Sequence, residues 1–230
     1  MSSIVSDNPA KNATNEAFGT THQRLFYLHD LPDFKVHHDD PDVRGWKLKL
    51  DSGDVIGTVD NLIVDKALRK VRYLEIKTEE AFATTYRDRA TYLDRDFHDG
   101  RKAGVDELVI VPVGMIRLDY DSKTCVASGV TADYFGQAPR YRRGSTLRPR
   151  YEIETLHYYD NEHPTFKGNK GDADYSPFDR TDYSPFDRTA YRDFDEDRFQ
   201  GMHDRFYEHR MFNTDSYYNR HAQAQAPASL

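Results

Sequence analysis

The sequence predicts a mainly β protein: a small barrel of short strands with one or two accessory helices, followed by a long tail of aromatic and charged residues. Three observations carry this reading. Between Trp46 and Ser128 the apolar residues recur in short runs, either with period two or as β-branched stretches, which is the spacing of half-buried strands. Gly57, Pro112 and Gly114 interrupt those runs, where a bend or corner accommodates them and a straight central strand does not. From His157 to Ser229 there is no Leu, Ile or Val, although that segment holds fifteen Phe and Tyr, so it offers little aliphatic surface to offset ordering entropy.

Taken in order, residues 1–24 are rich in Asn, Thr, Ser and Ala without apolar periodicity and read as a mobile leader. The domain spans 25–158. Its clearest strand has Trp46, Leu48 and Leu50 alternating with Lys47 and Lys49, and Asp51-Ser-Gly-Asp54 supplies turn chemistry for a hairpin into Val55–Val64. Within that second strand Gly57 marks a sharp bend or a close backbone approach. The next strand, Val71–Lys77, has apolar residues on both faces, so either both are covered or a bulge shifts the register.

An insertion, 79–104, follows. Phe82, Tyr86, Ala90, Leu93 and Phe97 recur there at helical spacing and Gly100 is a stop, predicting a helix against the barrel. In Leu108–Ile116 a corner falls at Pro112 and Gly114, after which Ile116 and Leu118 resume the pattern and Cys125–Ser128 forms the last short strand. Thr131 caps a helical turn over 132–135, and Pro149 opens a helix through Tyr158 that packs Ile153 and Leu156 inward.

The tail, 159–230, reads as disordered and contains a repeat. Asp174-Tyr-Ser-Pro-Phe-Asp-Arg-Thr181 is copied letter for letter as Asp182-Tyr-Ser-Pro-Phe-Asp-Arg-Thr189, and Ala190-Tyr-Arg-Asp-Phe-Asp-Glu-Asp197 resembles a decayed third copy. Eight residues are too few for a helical solenoid unit, so the array reads as tandem linear motifs. Their contact residues are Tyr175, Phe178 and Arg180, then Tyr183, Phe186 and Arg188.

Net charge is -7, which argues against a general nucleic-acid binder. Cys125 is the only cysteine, excluding an intrachain disulfide framework and a Cys-based zinc cluster. The first residues have neither a basic nor an apolar signal region, and no run approaches a membrane span, so the expected location is cytoplasmic.

Asp40-Pro-Asp-Val-Arg-Gly-Trp46, Ile56-Gly-Thr-Val-Asp60, Val64-Asp65, Val71-Arg-Tyr-Leu74, Val111-Pro-Val-Gly114 with Ile116, and Ala138-Pro-Arg-Tyr141 occur in that order over about half the chain. In this order they resemble the PRC-barrel family, the β-barrel of the cytoplasmic part of the photosynthetic reaction-centre H subunit and of many soluble bacterial proteins. The resemblance implies structural roles for Gly45, Trp46, Gly57, Asp60, Asp65, Pro112 and Gly114, and a docking function without a cofactor. A reaction-centre-like protein associated peripherally with a membrane electron-transfer complex, and an RNA- or ribosome-associated factor, are the alternatives it suggests. No membrane helix precedes the barrel in this sequence, and no proton-pathway residue is carried over.

Among candidate sites, His37, His38, Asp39 and Asp40, with Asp42, have the best metal-ligand chemistry. Neighbours on an extended chain point apart, so the expectation is a solvated approach to the first strand and no metal. Arg140, Arg142, Arg143, Arg148 and Arg150, interleaved with Tyr141 and Tyr151, suit an anionic partner such as nucleic acid, against pairing with the chain's own carboxylates. Cys125 reads as a packed small residue rather than a nucleophile. No P-loop, dinucleotide fingerprint, nucleophile elbow or zinc signature occurs. The expected function is therefore a non-enzymatic adaptor: the barrel docks on a protein partner and the tail adds multivalent contacts.

Overall fold

A computed structural model describes residues 4–6, 24–86, 107–143, 147, 149–162, 206–214 and 217. The described residues are mainly β. Strands β1 (Ile4–Ser6) and β3 (Phe34–Val36) form a two-stranded antiparallel sheet. All other strands join one eight-stranded sheet: β2 (Leu25–Tyr27), β4 (Lys47–Leu50), β5 (Val55–Asp65), β6 (Lys70–Thr78), β7 (Glu107–Pro112), β8 (Ile116–Asp119), β9 (Thr124–Ala127) and β10 (Arg140–Arg142). Its order is β10-β7-β6-β5-β4-β9-β8, with β2 also on β5. The path ends at β10 and β8, and among the described residues no pairing joins those two strands.

The long strand β5 organises this sheet. Its partner on one edge is β6 along nearly its whole length, while the opposite edge is shared, β4 pairing with Val55–Thr58 and β2 with Ile63–Asp65. Two bulges adjust the register between β5 and β6, and a third shift falls between Leu48 and Lys49 where β4 meets β5. Val59 faces Ile76 and Asn61 faces Glu75, leaving Asp60 as the extra residue on β5; Ile63 faces Tyr73 and Val64 faces Val71, leaving Arg72 as the extra residue on β6. A bulge bends its strand and re-aims the inserted side chain, which is why two charged residues occupy these positions. The apolar residues on both faces of Val71–Ile76 are reconciled both ways, because the register shifts there and all six residues are buried.

Gly57 faces Leu48 on one side and Thr78 on the other. A Cβ built there would lie 2.6 Å from the Lys77 carbonyl oxygen and 2.8 Å from Ile76 Cγ2, so the expected close approach is present. Gly57→Val is therefore expected to lower stability by about 1–3 kcal/mol despite valine's strand propensity. An unchanged melting temperature would contradict that placement. Gly45 has a different reason: its φ is +85°, and its N–H donates to the Val59 carbonyl at 2.8 Å, tying the turn before β4 to β5.

Helix α1 (Glu80–Tyr86) is the first part of the expected insertion helix, with Phe82 edge-on to Phe135. Ala90, Leu93, Phe97 and Gly100 lie outside the described residues. Pro112 ends β7 and a 3-10 turn, Val113–Met115, makes the expected corner. Thr131 caps α2 (Ala132–Gly136) by accepting from the Tyr134 N–H at 3.2 Å.

Helix α3 (Pro149–Glu162) runs past the expected end at Tyr158. It is buried at residues 151–156, 158 and 159, and Tyr158 stacks on Tyr134 of α2, each hydroxyl donating to the other's backbone carbonyl. No helix among the described residues is long and apolar enough to cross a membrane.

Two parts of the chain depart from the expected division. Ile4 of the leader is fully buried, and its N–H donates to the Arg69 carbonyl at 3.1 Å. In the tail, Phe206, Tyr207, Met211, Phe212 and Tyr217 belong to the hydrophobic core. Aromatic and methionine side chains there replace the missing aliphatics, since each buries a large apolar area.

Candidate functional site

Among the described residues, three of the buried charged side chains, Asp65, Arg72 and Glu152, gather where this C-terminal strap, 206–212, meets β5, β6 and α3. Asp65, at the end of β5, is fully buried. It accepts from Arg24 Nε at 2.8 Å, from the Leu68 N–H at 2.9 Å and from Arg72 Nη2 at 3.5 Å. The bulge carries Arg72 onto the strap: its guanidinium lies 4.1 Å from the centroid of the Tyr207 ring, and Arg24 lies 5.5 Å from the same centroid. Tyr207 in turn donates its hydroxyl to Glu152 Oε2 at 2.5 Å, and Tyr73 of β6 donates to the same oxygen at 3.1 Å.

A continuous chain of contacts thus runs from Asp65 through Arg72 and Tyr207 to Glu152 and Tyr73. Burial pushes the Glu152 carboxyl up from 4.5 to about 7, while the hydrogen bonds from Tyr207 and Tyr73 and the charges of Arg72 and Arg24 pull the other way. Burial first, and the Glu152 charge second, hold both tyrosines well above their ordinary value, so each remains a protonated donor.

The strap fits this cluster through its backbone as well. Gly114, at the corner after β7, has no room for a side chain: a Cβ there would lie 2.6 Å from the carbonyl oxygens of both Arg210 and Met211. A 3-10 turn, Arg210–Phe212, is capped by His209, whose Nδ1 accepts from the Met211 N–H at 3.3 Å. Phe212 then sets its ring edge-on to Tyr73 and Tyr207, at centroid distances of 5.3 and 4.9 Å. Glu152 is 2 % exposed and Tyr73 fully buried, so no solute reaches the carboxyl while the strap is in place. Chemically the cluster is a closed latch around a buried carboxyl that desolvation holds above its ordinary value, not an open reaction centre.

The residues singled out from sequence are dispersed. Asp65 and Gly114 belong to the latch. Asp60 is half-exposed on the β5 bulge and paired with Arg143, the expected pairing of a basic residue with the chain's own carboxylate. Trp46 is half-buried at the edge of the core, edge-on to Tyr120.

Arg140 is buried and donates to the Gly136 carbonyl at 3.4 Å, Arg142 lies in β10, Arg150 lies in the first turn of α3, and Arg148 is outside the described residues. Cys125 is buried in β9, and burial pushes its thiol up to about 12, which removes the thiolate that a nucleophile needs. Tyr175, Phe178, Arg180, Tyr183, Phe186 and Arg188 lie outside the described residues.

His37, His38 and Asp39 do come together. Contrary to the expectation for an extended chain, the Asp40 N–H donates to the His37 carbonyl at 2.9 Å, making a turn that gathers their side chains.

The sequence reading missed Glu152 and Tyr207. A signal existed for the first: Glu152 stands four residues before Leu156 and seven before Tyr159, so a carboxyl sits on the inward stripe of an otherwise apolar helix face. No family model matches this chain, and no curated protein does.

Proposed function

We propose that the chain is a non-enzymatic adaptor, in which a PRC-type barrel domain docks on a protein partner and the segment 163–205 adds repeated contacts. The observation that carries this reading is the return of the chain to the domain. Helix α3 holds one end of that segment at Glu162, and the latch holds the other at Phe206, with Tyr207 on Glu152. The octapeptide copies are therefore tethered at both ends to one body, which confines them near whatever the domain binds and raises their effective concentration.

The barrel reading draws support from β5, whose single edge serves both β4 and β2, and from the corner at Pro112–Gly114. The inaccessible Glu152 and the high Cys125 thiol support a binding rather than a catalytic role.

Each octapeptide offers two aromatic faces and a guanidinium, and exposed cation–π contacts contribute only about 0.5–1 kcal/mol apiece. Association therefore depends on valence. In pull-downs from native lysate with RNase present, deleting one octapeptide is expected to weaken partner capture. Replacing Tyr175, Phe178, Tyr183, Phe186, Tyr191 and Phe194 by Ser is expected to abolish the part contributed by this segment. Capture unchanged by the six-fold replacement would overturn the role of the repeat, and capture lost on RNase treatment would point to RNA.

A further inference from the structure

We propose that His37, His38 and Asp39 form a surface site for a first-row divalent transition-metal ion of the zinc or copper class. The turn after β3 brings one ligand atom from each residue within 4.8 Å of the others. His38 Nε2 lies 3.1 Å from Asp39 Oδ1, and His37 Nδ1 lies 3.6 Å from Asp39 Oδ2. An ion with bonds of about 2.0–2.1 Å in tetrahedral geometry needs ligand atoms about 3.3–3.4 Å apart, and each of these separations, one to each carboxylate oxygen of Asp39, lies within about 0.3 Å of that value. The two imidazole rings stand 4.3 Å apart at an angle of 35°, side by side rather than on opposite sides of the chain.

His37 Nδ1 accepts from the Asp39 N–H at 3.3 Å, so an ion bound through that nitrogen takes the place of this hydrogen bond.

Two imidazoles and one carboxylate favour zinc, copper or nickel over magnesium or calcium. The neighbouring carboxylate of Asp42 is not a fourth ligand, because Arg44 binds both its oxygens, Nε at 2.9 and 3.1 Å. A fourth position is left to water or to a donor from outside the turn. His38 and Asp39 are mostly exposed, so an ion reaches them and substitution there removes little packing beyond the contact of the His38 ring with His37. The ligands come from consecutive residues, so the ion closes no long loop and its binding, rather than thermal stability, is the informative readout.

The test is titration of the full chain with cobalt chloride, followed by visible absorption and then displacement by zinc chloride, with magnesium chloride as the control. The expected result is a saturable cobalt band that zinc removes and magnesium does not. His38→Ala and Asp39→Asn are each expected to weaken binding at least about tenfold, with unchanged circular dichroism. Because the chain has ten histidines, the difference from the wild type isolates this site. Wild-type affinity in either variant, or no saturable band in the wild type, overturns the three-ligand site.

Discussion

A chain ending at Glu162 is expected to melt about 6–12 °C below the full-length protein, a loss of roughly 3 kcal/mol. The strap's four principal side chains, Phe206, Tyr207, Met211 and Phe212, are nearly or fully buried, and truncating one buried Phe to Ala ordinarily costs about 3–5 kcal/mol. Their gross contribution is larger than 3 kcal/mol, but ordering the strap opposes it by about 1–2 kcal/mol per residue, so the net docking energy is the smaller figure. Loss of the strap also exposes Glu152 and leaves Arg72 without the Tyr207 ring.

Gly114→Ala gives the same result by another route, since the added Cβ meets the strap backbone and forces it away. The two changes act on one contact, so they are expected to be non-additive: Gly114→Ala should do little in the truncated chain. Thermal melts of the four proteins in that cycle check this. Equal effects of Gly114→Ala in both backgrounds would locate its cost elsewhere.

The second large effect is on pH dependence. Glu152 has an ordinary value of 4.5, raised by burial to about 7 in the folded protein. A carboxyl raised on folding binds its proton more tightly in the native state. Its contribution is therefore fully present below about 4.5 and is lost as pH rises through about 7. The difference corresponds to about 3 kcal/mol between those limits.

Glu152→Gln imitates the neutral acid, its amide oxygen able to accept from Tyr73 and Tyr207. The variant is expected to match the wild type near pH 4.5 and to become more stable than it as pH rises to 8. Urea melts across that range measure the gap. A constant difference between the two proteins at every pH would show that Glu152 does not change its charge there.

Much of the sheet was legible because its signals are local. Alternation at Trp46–Leu50, the turn at Asp51–Asp54, the corner at Pro112 and Gly114 and the Thr131 cap each act within a few residues and recur in the structure. What sequence did not show depends on partners far along the chain. Ile4–Ser6 is only three residues in a polar setting, and its strand exists through pairing with Phe34–Val36. The strap resembles the octapeptides in composition, and absence of aliphatics made both look unable to pack.

The distinction was nevertheless present, because Phe206-Tyr207 and Met211-Phe212 form two adjacent apolar pairs, whereas each octapeptide spaces its Tyr and Phe apart with Ser and Pro. Glu152 was hidden for a related reason. A carboxyl on a helix is ordinarily solvated, whereas Glu152 is buried where Tyr207 of the strap and Tyr73 of β6 meet it. For His37 and His38 only the expected extended backbone differs from the structure, because the turn closed by His37 and Asp40 replaces it.

The central claim is that the chain leaves the domain at Glu162 and is held again at Phe206, and one cut tests it most directly. A single specific protease site is introduced between Thr189 and Ala190, the full-length protein is cleaved there, and the fragments are passed over a size-exclusion column under native conditions. Docking at the latch predicts that the C-terminal fragment co-elutes with the domain, and that Gly114→Ala releases it. Separation of the two fragments in the wild-type background would contradict the account.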